Sequence, residues 1–284
     1  MDEIEIKNDA LFGECKFIIP KHTKLLILVG PNGSGKTRFS EKVHSKQVIL
    51  GDNISEKFNN TNIRTSYRTR SSSIENIPPV QNMNSIDQPN LSQVNWLISK
   101  RDGGYVKSNF YTNTVLNTIN EFLKKHFNGL IFENPHLKNN NASFHFTRNG
   151  RPISWEELSA GEFDVVNLII SILEMKDRSP CILFIDSPET HLHPKICSDL
   201  LKTFYSIIPE ECMLVLATNS SQICLKANEI REEKANTIKS ETQGINFLNF
   251  ENDYSKKESL EAEKLDRVLL NKCHTTEFWG TQDG

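Results

Sequence analysis

The sequence contains no apolar run long enough to cross a bilayer. Its 284 residues are 37% hydrophobic, and no uninterrupted apolar stretch approaches the roughly 18 residues that a membrane-spanning helix needs. The chain begins with Met1-Asp2-Glu3, whereas a signal peptide begins with a basic and then an apolar region. We therefore expect a cytoplasmic protein with no membrane insertion.

Cysteine pairs with the spacing of zinc and redox sites are also missing. The six cysteines are scattered along the chain, and none belongs to a Cys-x-x-Cys pair: Cys15, Cys181, Cys197, Cys212, Cys224 and Cys273. This spacing indicates neither a zinc site nor a redox motif. Several of these cysteines lie in apolar runs, which is typical of buried thiols.

A strong excess of positive charge is absent as well. The formal net charge is −3, so nucleic-acid binding would need a local basic patch. The one candidate patch is the segment 63–73, where Arg64, Arg68 and Arg70 surround Tyr67 without an acidic residue. A solvated loop and a phosphate-binding surface both explain this segment.

What the sequence does contain is a glycine-rich loop of the phosphate-binding type. Residues 28–37, LVGPNGSGKT, fit the pattern Gly-x-x-x-x-Gly-Lys-Thr and follow an apolar strand candidate at 25–29. Backbone N–H groups of such a loop, together with the N-terminus of the next helix, attract triphosphate oxygens. In this pattern Lys36 reaches the β and γ phosphates, and Thr37 offers its hydroxyl to Mg²⁺. We assign nucleotide binding to Gly30, Asn32, Gly33, Ser34, Gly35, Lys36 and Thr37.

An aspartate at the end of a short apolar segment is the second candidate. Asp186 directly follows CILFI, residues 181–185, and an aspartate in this place holds Mg²⁺, directly or through water, beside a triphosphate. A carboxylate at the end of a hydrophobic strand is costly to desolvate. This cost favours a functional role for Asp186 over that of a helix N-cap.

A third motif, LSAGE at 158–162, lies directly ahead of a predicted helix. Ser159 and Gly161 at a helix N-terminus provide a second surface that attracts phosphate, because the helix dipole is positive there. We include Glu162 in this nucleotide-binding set. A simple serine N-cap also explains the pentapeptide.

The distribution of apolar residues predicts an α/β fold. An antiparallel start is predicted at 3–7 and 16–19, and a hairpin at 142–148 and 152–153, because Asn149-Gly150 favours a tight turn. Further strands are predicted at 24–30, 48–50, 181–185, 213–217 and 245–250, and helices at 37–44, 110–126, 161–175, 196–207 and 258–272. Strands that alternate with helices around a phosphate loop indicate a doubly wound α/β core. We interpret the polar residues 51–90 as an inserted or mobile lobe outside the core.

The order of the motifs resembles that of the ATP-binding-cassette superfamily. GPNGSGKT, LSAGE, CILFIDSPETHLHP and LVLATNSS follow one another as in the soluble branch that includes the OLD (overcoming lysogenisation defect), RecF and SMC-like ATPases. Members of this branch are often found in bacterial DNA repair and phage defence. Pro188-Glu189 and Leu192-His193-Pro194 match the soluble branch, whereas transporter ATPases usually have Pro-Thr and a later Leu-Asp. The resemblance covers about residues 1–50 and 140–250.

The resemblance implies a P-loop ATPase head of ABC type with a mixed sheet, an antiparallel N-terminal subdomain and an inserted, partly helical lobe. We expect the head at 1–250, with the lobe at 51–139, and a short helical tail at 251–284. The resemblance also implies ATP and Mg²⁺ as cofactors. Two heads would form a homodimer, or a higher oligomer, around ATP, with LSAGE of one subunit completing the site of the other.

Two residues depart from the family pattern at the positions closest to hydrolysis. Where relatives have the glutamate that activates water, this chain has Ser187, and where they have a histidine after the next strand, it has Asn219. A hydroxyl is not a general base at neutral pH, and an amide cannot carry the proton. We therefore expect ATP binding with weak hydrolysis. Glu189 is the nearby carboxylate that could substitute, so the candidate catalytic positions are Ser187, Glu189 and Asn219.

These features favour an ATP-dependent switch that controls a partner effector such as a nuclease. No spaced carboxylate cluster of a nuclease follows Asn219, and the acidic residues of the tail favour a solvated helix face: Glu258, Glu261, Glu263 and Asp266. A transporter ATPase that docks on a membrane subunit and a scaffold locked by ATP without hydrolysis are the alternatives. We interpret Gln81 and Gln93 as ordinary surface residues, since neither follows a clear strand.

Overall fold

The structure is a computed structural model that describes residues 1–52, 54–64, 91–138, 141–237 and 244–250. The strands in these ranges are β1 (Asp2–Asp9), β2 (Gly13–Ile19), β3 (Leu25–Val29), β4 (Ile49–Leu50), β5 (Thr61–Arg64), β6 (Leu130–Lys138), β7 (Asn141–Arg148), β8 (Arg151–Ser154), β9 (Ile182–Asp186), β10 (Met213–Thr218) and β11 (Ile245–Asn249). The α-helices are α1 (Lys36–His44), α2 (Leu91–Arg101), α3 (Tyr105–Phe110), α4 (Asn117–His126), α5 (Ala160–Glu174), α6 (Pro194–Ile207) and α7 (Ser221–Thr237).

The described residues divide into two compact units. The first contains the described residues up to 64 and from 175 onward, and the second contains those from 91 to 174. Several sequence predictions lie outside the described residues. They concern Arg68, Arg70, Gln81, Cys273, the tail at 251–284 and its helix at 258–272 with the four acidic residues.

A five-stranded parallel sheet forms the centre of the first unit, in the order β11-β3-β10-β9-β5. Every residue of β3, β9 and β10 is buried, which explains their nearly continuous apolar sequences, because a parallel sheet is covered on both faces. The predictions of strands at 24–30, 181–185, 213–217 and 245–250 are confirmed. The α/β fold is therefore the one that the alternating pattern indicated.

A three-stranded antiparallel sheet, in the order β2-β1-β4, belongs to the same unit. Its buried residues share one hydrophobic core with the parallel sheet and α1. At the centre of this core, the ring of Phe17 stacks on Phe250 at a centroid distance of 5.7 Å and lies 4.7 Å from the ring of Phe39 in α1. These aromatic contacts fix the start of α1 against the hairpin of β1 and β2.

Residues 54–64 differ from the prediction that residues 51–90 lie outside the core. Phe58 is buried in the shared core, and β5 pairs in parallel with β9 at the edge of the central sheet. Three large apolar residues in this stretch, Ile54, Phe58 and Ile63, anchor it to the core. A four-residue, half-buried strand carries too little periodicity to be detected among polar neighbours.

The second unit contains a three-stranded antiparallel sheet, in the order β6-β7-β8, and the helices α2 to α5. The predicted hairpin between β7 and β8 is confirmed, with Asn149 and Gly150 at φ of 52° and 77°. A π-helical turn at Tyr111–Leu116 joins α3 to α4 within the helical region predicted at 110–126. The strand β6 and the helix α2 were not predicted.

Gln93 is buried in the second unit, which contradicts its interpretation as a surface residue. Its side-chain amide, on α2, donates to the carbonyl of Asn167 at 3.1 Å and to the hydroxyl of Ser171 at 2.8 Å, both on α5. A buried amide is tolerated where it is hydrogen-bonded. These partners are 74 and 78 residues away, so local sequence did not reveal them.

None of the helices in the described ranges combines the length and the apolarity that a bilayer crossing requires.

Candidate nucleotide-binding site

The predicted nucleotide-binding and catalytic residues of the first unit meet at one edge of its parallel sheet. β10 lies between β3 and β9, and the register pairs Thr218 with Val29 and Ala217 with Asp186. The phosphate loop after β3, the turn after β10 and the end of β9 are therefore neighbours. Ligands of open α/β sheets bind at this edge, where parallel strands have their carboxyl ends.

Two glycines of the phosphate loop lie where a side chain would clash with neighbouring atoms. A Cβ on Gly35, at φ 94°, would lie 2.6 Å from Cδ2 of Leu11 and 2.7 Å from Cζ of Phe12. A Cβ on Gly30 would lie 2.7 Å from the carbonyl oxygen of Phe250. The loop therefore depends on glycine for close backbone approach. The turn between β1 and β2 supplies part of the surface on which the loop rests.

Lys36 is the first residue of α1 and is buried. Its ammonium group donates to the carbonyl oxygens of Gly30 at 2.6 Å and Pro31 at 2.9 Å. The side chain therefore folds back over the loop, in the direction that the sequence pattern predicted. The loop backbone and the N-terminus of α1 are on the same side, so the local potential is positive.

Thr37 and Asp186 are in direct contact. The hydroxyl of Thr37 donates to Oδ2 of Asp186 at 2.7 Å, and the Asp186 carboxylate is buried at the end of β9. A hydroxyl and a carboxylate are the oxygen ligands that Mg²⁺ accepts, and this ion completes its shell with waters and phosphate oxygens. Among the described residues no group of three or more His, Cys, Asp or Glu side chains could hold a metal ion. By their chemistry and their contact, Thr37 and Asp186 fit a magnesium ion that is shared with a nucleotide.

Ser187 lies directly beyond β9 in the left-handed backbone region, at φ 51°. Its N–H donates to the carbonyl of Ala217 at 2.8 Å, and its hydroxyl donates to Oδ1 of Asp186 at 3.2 Å. The hydroxyl is therefore a donor to the predicted magnesium ligand. No carboxylate stands at this position of the chain.

Asn219 joins the phosphate loop to the turn after β9. Its side-chain amide donates to Oδ1 of Asn32 in the loop, and its backbone N–H donates to Oε1 of Glu189 at 3.0 Å. The other carboxylate oxygen of Glu189 is buried and has no hydrogen-bond partner among the described residues. The structure thus brings together Asn32, Glu189 and Asn219, but the contact between them was not predicted.

Asp9 is a residue that sequence reasoning missed. It ends β1, accepts hydrogen bonds from the N–H groups of Leu11 and Phe12, and forms ion pairs with Arg38 at 2.8 Å and Lys42 at 2.9 Å. Burial raises the pKa of Asp9, but the hydrogen bonds from Lys42 and Arg38 and the backbone N–H groups outweigh it and hold the pKa well below its usual range. Asp9 therefore ties α1 to the turn that packs against Gly35.

The LSAGE motif spans the start of α5 in the second unit. The carboxylate of Glu162 accepts from the N–H of Ser159 at 2.8 Å and from Arg148 at 2.7 Å, and the Glu162 N–H donates to the Ser159 hydroxyl at 3.3 Å. This reciprocal pair is a capping box. Gly161 is buried in the first turn. The serine N-cap that the pentapeptide allowed is therefore present, and a nucleotide contact of this segment stays a prediction.

Comparison with solved structures gives the same fold at low sequence identity. An ATP-binding cassette of an ABC transporter in its ADP conformation has a TM-score of 0.50 and 14% identity, with 99% of this chain and 100% of that chain covered. A bacterial Atm1-family ABC exporter with ATP bound has a TM-score of 0.51 and 11% identity, with 99% of this chain and 42% of that chain covered. The Smc head domain of Pyrococcus furiosus bound to the C-terminal domain of ScpA has a TM-score of 0.49 and 12% identity, with 96% and 100% covered.

Comparison of the sequence with curated proteins gives no match. The family model of the AAA ATPase domain, AAA_15, matches residues 38–225 of the 284-residue chain, which is more than half of its length. The match begins directly after Thr37, the last residue of the phosphate loop. The fold is the α/β fold of P-loop ATPases of the ABC kind. The chain belongs to the AAA ATPase domain family.

Proposed function

We propose that this protein is an ATP-dependent dimerising switch with weak intrinsic hydrolysis. In this proposal it is the ATPase subunit of a bacterial DNA-repair or anti-phage defence system of the OLD, RecF and SMC-like branch, and it controls a partner effector such as a nuclease. The proposal rests on one observation. Lys36, Thr37 and Asp186 lie together in the arrangement that would bind phosphate and Mg²⁺, whereas Ser187 occupies the position where a general base is expected.

The first part of the proposal, nucleotide binding, rests on the contacts at the phosphate loop. Lys36 is held over the loop by two carbonyls, and Thr37 contacts Asp186. Thr37 and Asp186 would hold Mg²⁺, which when bound neutralises charge on the phosphate oxygens. The backbone N–H groups at the start of α1 would bind those oxygens. The exporter of the same fold has ATP bound, which agrees with ATP as the ligand.

The second part of the proposal, slow hydrolysis, rests on Ser187, Asn219 and Glu189. The Ser187 hydroxyl donates to Asp186 and cannot take a proton from water at neutral pH, and loss of a general base costs about 10²–10⁴-fold in rate. The Asn219 amide is bound to Asn32. Glu189 uses one oxygen for the Asn219 N–H, so its first role is to position that turn. Glu189 is the one carboxylate among these three residues and so the candidate that could replace the base, although its second oxygen is buried.

The third part of the proposal, dimerisation, rests on the LSAGE motif and on the resemblance of the motif order. The capping box of Ser159 and Glu162 holds the N-terminus of α5 in a fixed conformation, which keeps its positive dipole end defined. In an isologous dimer, Ser159, Gly161 and Glu162 of one subunit would meet the nucleotide on the phosphate loop of the other. ATP would then join the two subunits, and its hydrolysis would release them.

Light scattering of the full chain tests this proposal. With ATP and Mg²⁺, we expect the mass of the wild type to double, because ATP completes the interface. Lys36→Ala should stay monomeric. Ser159→Glu should bind ATP and stay monomeric, since its carboxylate repels the phosphates. Ser206→Glu, the same substitution at an exposed serine of α6, is the matched control and should dimerise.

A wild type that stays monomeric at saturating ATP would overturn the dimerisation part. Phosphate release with and without DNA separates the switch from the scaffold. Release that rises with DNA supports a DNA-dependent switch in a repair or defence system. Release that is zero under both conditions, with dimerisation intact, favours an ATP-locked scaffold.

A further inference from the structure

Two cysteines lie side by side at the opposite, amino-terminal edge of the parallel sheet. Cys181 directly precedes β9, and Cys212 directly precedes β10. These strands are neighbours with Ile182 paired to Met213, and the Met213 N–H donates to the Cys181 carbonyl at 3.0 Å. The two sulfur atoms are 3.6 Å apart, and both residues are buried. Their separation of 31 positions in the sequence explains why no spacing motif revealed the pair.

The backbone at this point is suited to a disulfide. Neighbouring strands of a sheet are about 4.8 Å apart, which falls inside the Cα separation of about 4.4–6.8 Å that disulfides require. Residues in register on adjacent strands also project to the same face. A bond between the sulfurs therefore needs them to approach by about 1.5 Å, from 3.6 Å to the normal S–S length. Side-chain rotation can supply this movement without a change of register.

The two thiols have different acidities. The hydrogen bond between the two sulfurs lowers the pKa of Cys212 against the effect of burial, and the same contact raises the pKa of Cys181. The hydroxyl of Ser179 also lowers the pKa of Cys212. Because the thiolate is the reacting form of a cysteine, Cys212 is suited to react first and Cys181 second.

A cavity lies beside the residues that precede the two cysteines. It has a volume of about 650 Å³, and its wall includes Pro180 and Glu211, the residues directly before Cys181 and Cys212. The cavity wall also contains Lys57, whose ammonium interacts electrostatically with Cys212. A small uncharged oxidant such as hydrogen peroxide fits this space.

We propose that Cys181 and Cys212 form an oxidisable dithiol site that reacts with peroxides. The Cys212 thiol ionises, its thiolate attacks one peroxide oxygen, and the O–O bond breaks. The second oxygen leaves as hydroxide and becomes water by taking up the proton that Cys212 released on ionisation. The Cys181 sulfur then attacks the sulfenic sulfur of Cys212. The S–O bond breaks, and the leaving hydroxide takes the Cys181 proton. Two thiols and one peroxide thus give one disulfide and two waters.

Thiol counting and peptide mapping of the wild-type chain test the proposal. The reduced, desalted protein is exposed to hydrogen peroxide, with free glutathione oxidised in a parallel tube. Among the five described cysteines, the thiols of Cys181 and Cys212 should be lost, as measured after denaturation, whereas those of Cys15, Cys197 and Cys224 should remain. Non-reducing peptide mass analysis should find the peptides of Cys181 and Cys212 linked, with a mass loss of two hydrogens. This arm requires no variant to fold.

Two variants identify the order of the steps. Cys181→Ser should stop at a sulfenic acid on Cys212, which dimedone traps. Cys197→Ser, which removes another buried thiol from α6, is the matched control and should still lose two thiols. The proposal is overturned when all six wild-type thiols survive peroxide that oxidises the glutathione, or when thiols are lost without the 181–212 link.

Discussion

Two groups of polar side chains at the carboxyl edge of the central sheet make different contacts. We call them the binding half (Lys36, Thr37 and Asp186) and the hydrolytic half (Ser187 and Asn219). In the binding half, Lys36 is held by loop carbonyls and Thr37 contacts Asp186. In the hydrolytic half, the Ser187 hydroxyl donates a hydrogen bond to Asp186, and the Asn219 amide is paired with the amide of Asn32. The first half is equipped to bind phosphate and magnesium, whereas the second has a hydroxyl in place of a base. In the proposed function, binding and hydrolysis are therefore separable properties of one edge.

The largest expected effect comes from restoring a carboxylate to the hydrolytic half. Ser187→Glu should raise the rate of phosphate release by about 10²–10⁴-fold, because a positioned general base contributes this much. Steady-state phosphate release at saturating ATP measures it. Ser206→Glu, at an exposed site on α6, should leave the rate unchanged. An unchanged rate in a Ser187→Glu protein that still binds ATP would remove the distinction between the halves.

A change confined to the binding half should act on affinity. Lys36→Ala removes a cation from the phosphate loop, and we expect ATP affinity to fall about 10–100-fold, since a hydrogen bond to a charged group contributes about 1.5–3 kcal/mol. Isothermal titration calorimetry with ATP and Mg²⁺ measures this loss. Lys202→Ala, which removes an exposed lysine of α6, is the control. Equal affinity of the two variants would contradict the role given to Lys36.

Substitutions at two glycines of the phosphate loop test how much close packing in the binding half contributes to the free energy of unfolding. Gly35→Ala introduces a Cβ about 2.6 Å from Leu11, and we expect unfolding to become easier by about 2–3 kcal/mol. Gly33→Ala is the matched control, because Gly33 also has positive φ, at 78°, but its Cβ meets nothing within 4 Å. This control should lose only about 1 kcal/mol. Urea unfolding of both variants separates close packing from backbone strain.

The smallest effect concerns the ion pairs of Asp9 behind the loop. Because the pKa of Asp9 is lowered in the folded state, its stabilisation is complete above the ordinary aspartate pKa of about 3.9 and declines as the pH falls below that value. Asp9→Asn should therefore cost about 1 kcal/mol at neutral pH, and less at pH 3. Urea unfolding at both pH values measures the difference. A cost that grows on acidification would contradict the assigned sign.

Much of the structure at the carboxyl edge of the central sheet can be predicted from short sequence patterns. The apolar runs of β3, β9 and β10 predict buried parallel strands, and strands of one sheet bring the residues after them together. The contact of Thr37 with Asp186 follows from that rule and from the phosphate-loop pattern. These features depend on local sequence and on one topological principle.

The remaining features depend on contacts between distant residues. The pairing of Asn32 with Asn219 and the burial of Gln93 are set by turn and helix positions that no local period encodes. The strand β5 has four residues at the sheet edge, too few for a recognisable pattern. The thiols of Cys181 and Cys212 meet because their strands are neighbours. Sequence reasoning therefore predicted the binding half better than the contacts that surround it.

The most direct measurement determines ATP occupancy and phosphate release on the same wild-type sample. Bound nucleotide is counted by rapid filtration, and released phosphate is followed in the same solution. We expect about one ATP bound per chain, with turnover slower than about 0.1 per second, at least a hundredfold below the common enzyme median of about 10 per second. Wild-type protein that fills with ATP and turns it over at about 10 per second would contradict the separation of binding from hydrolysis.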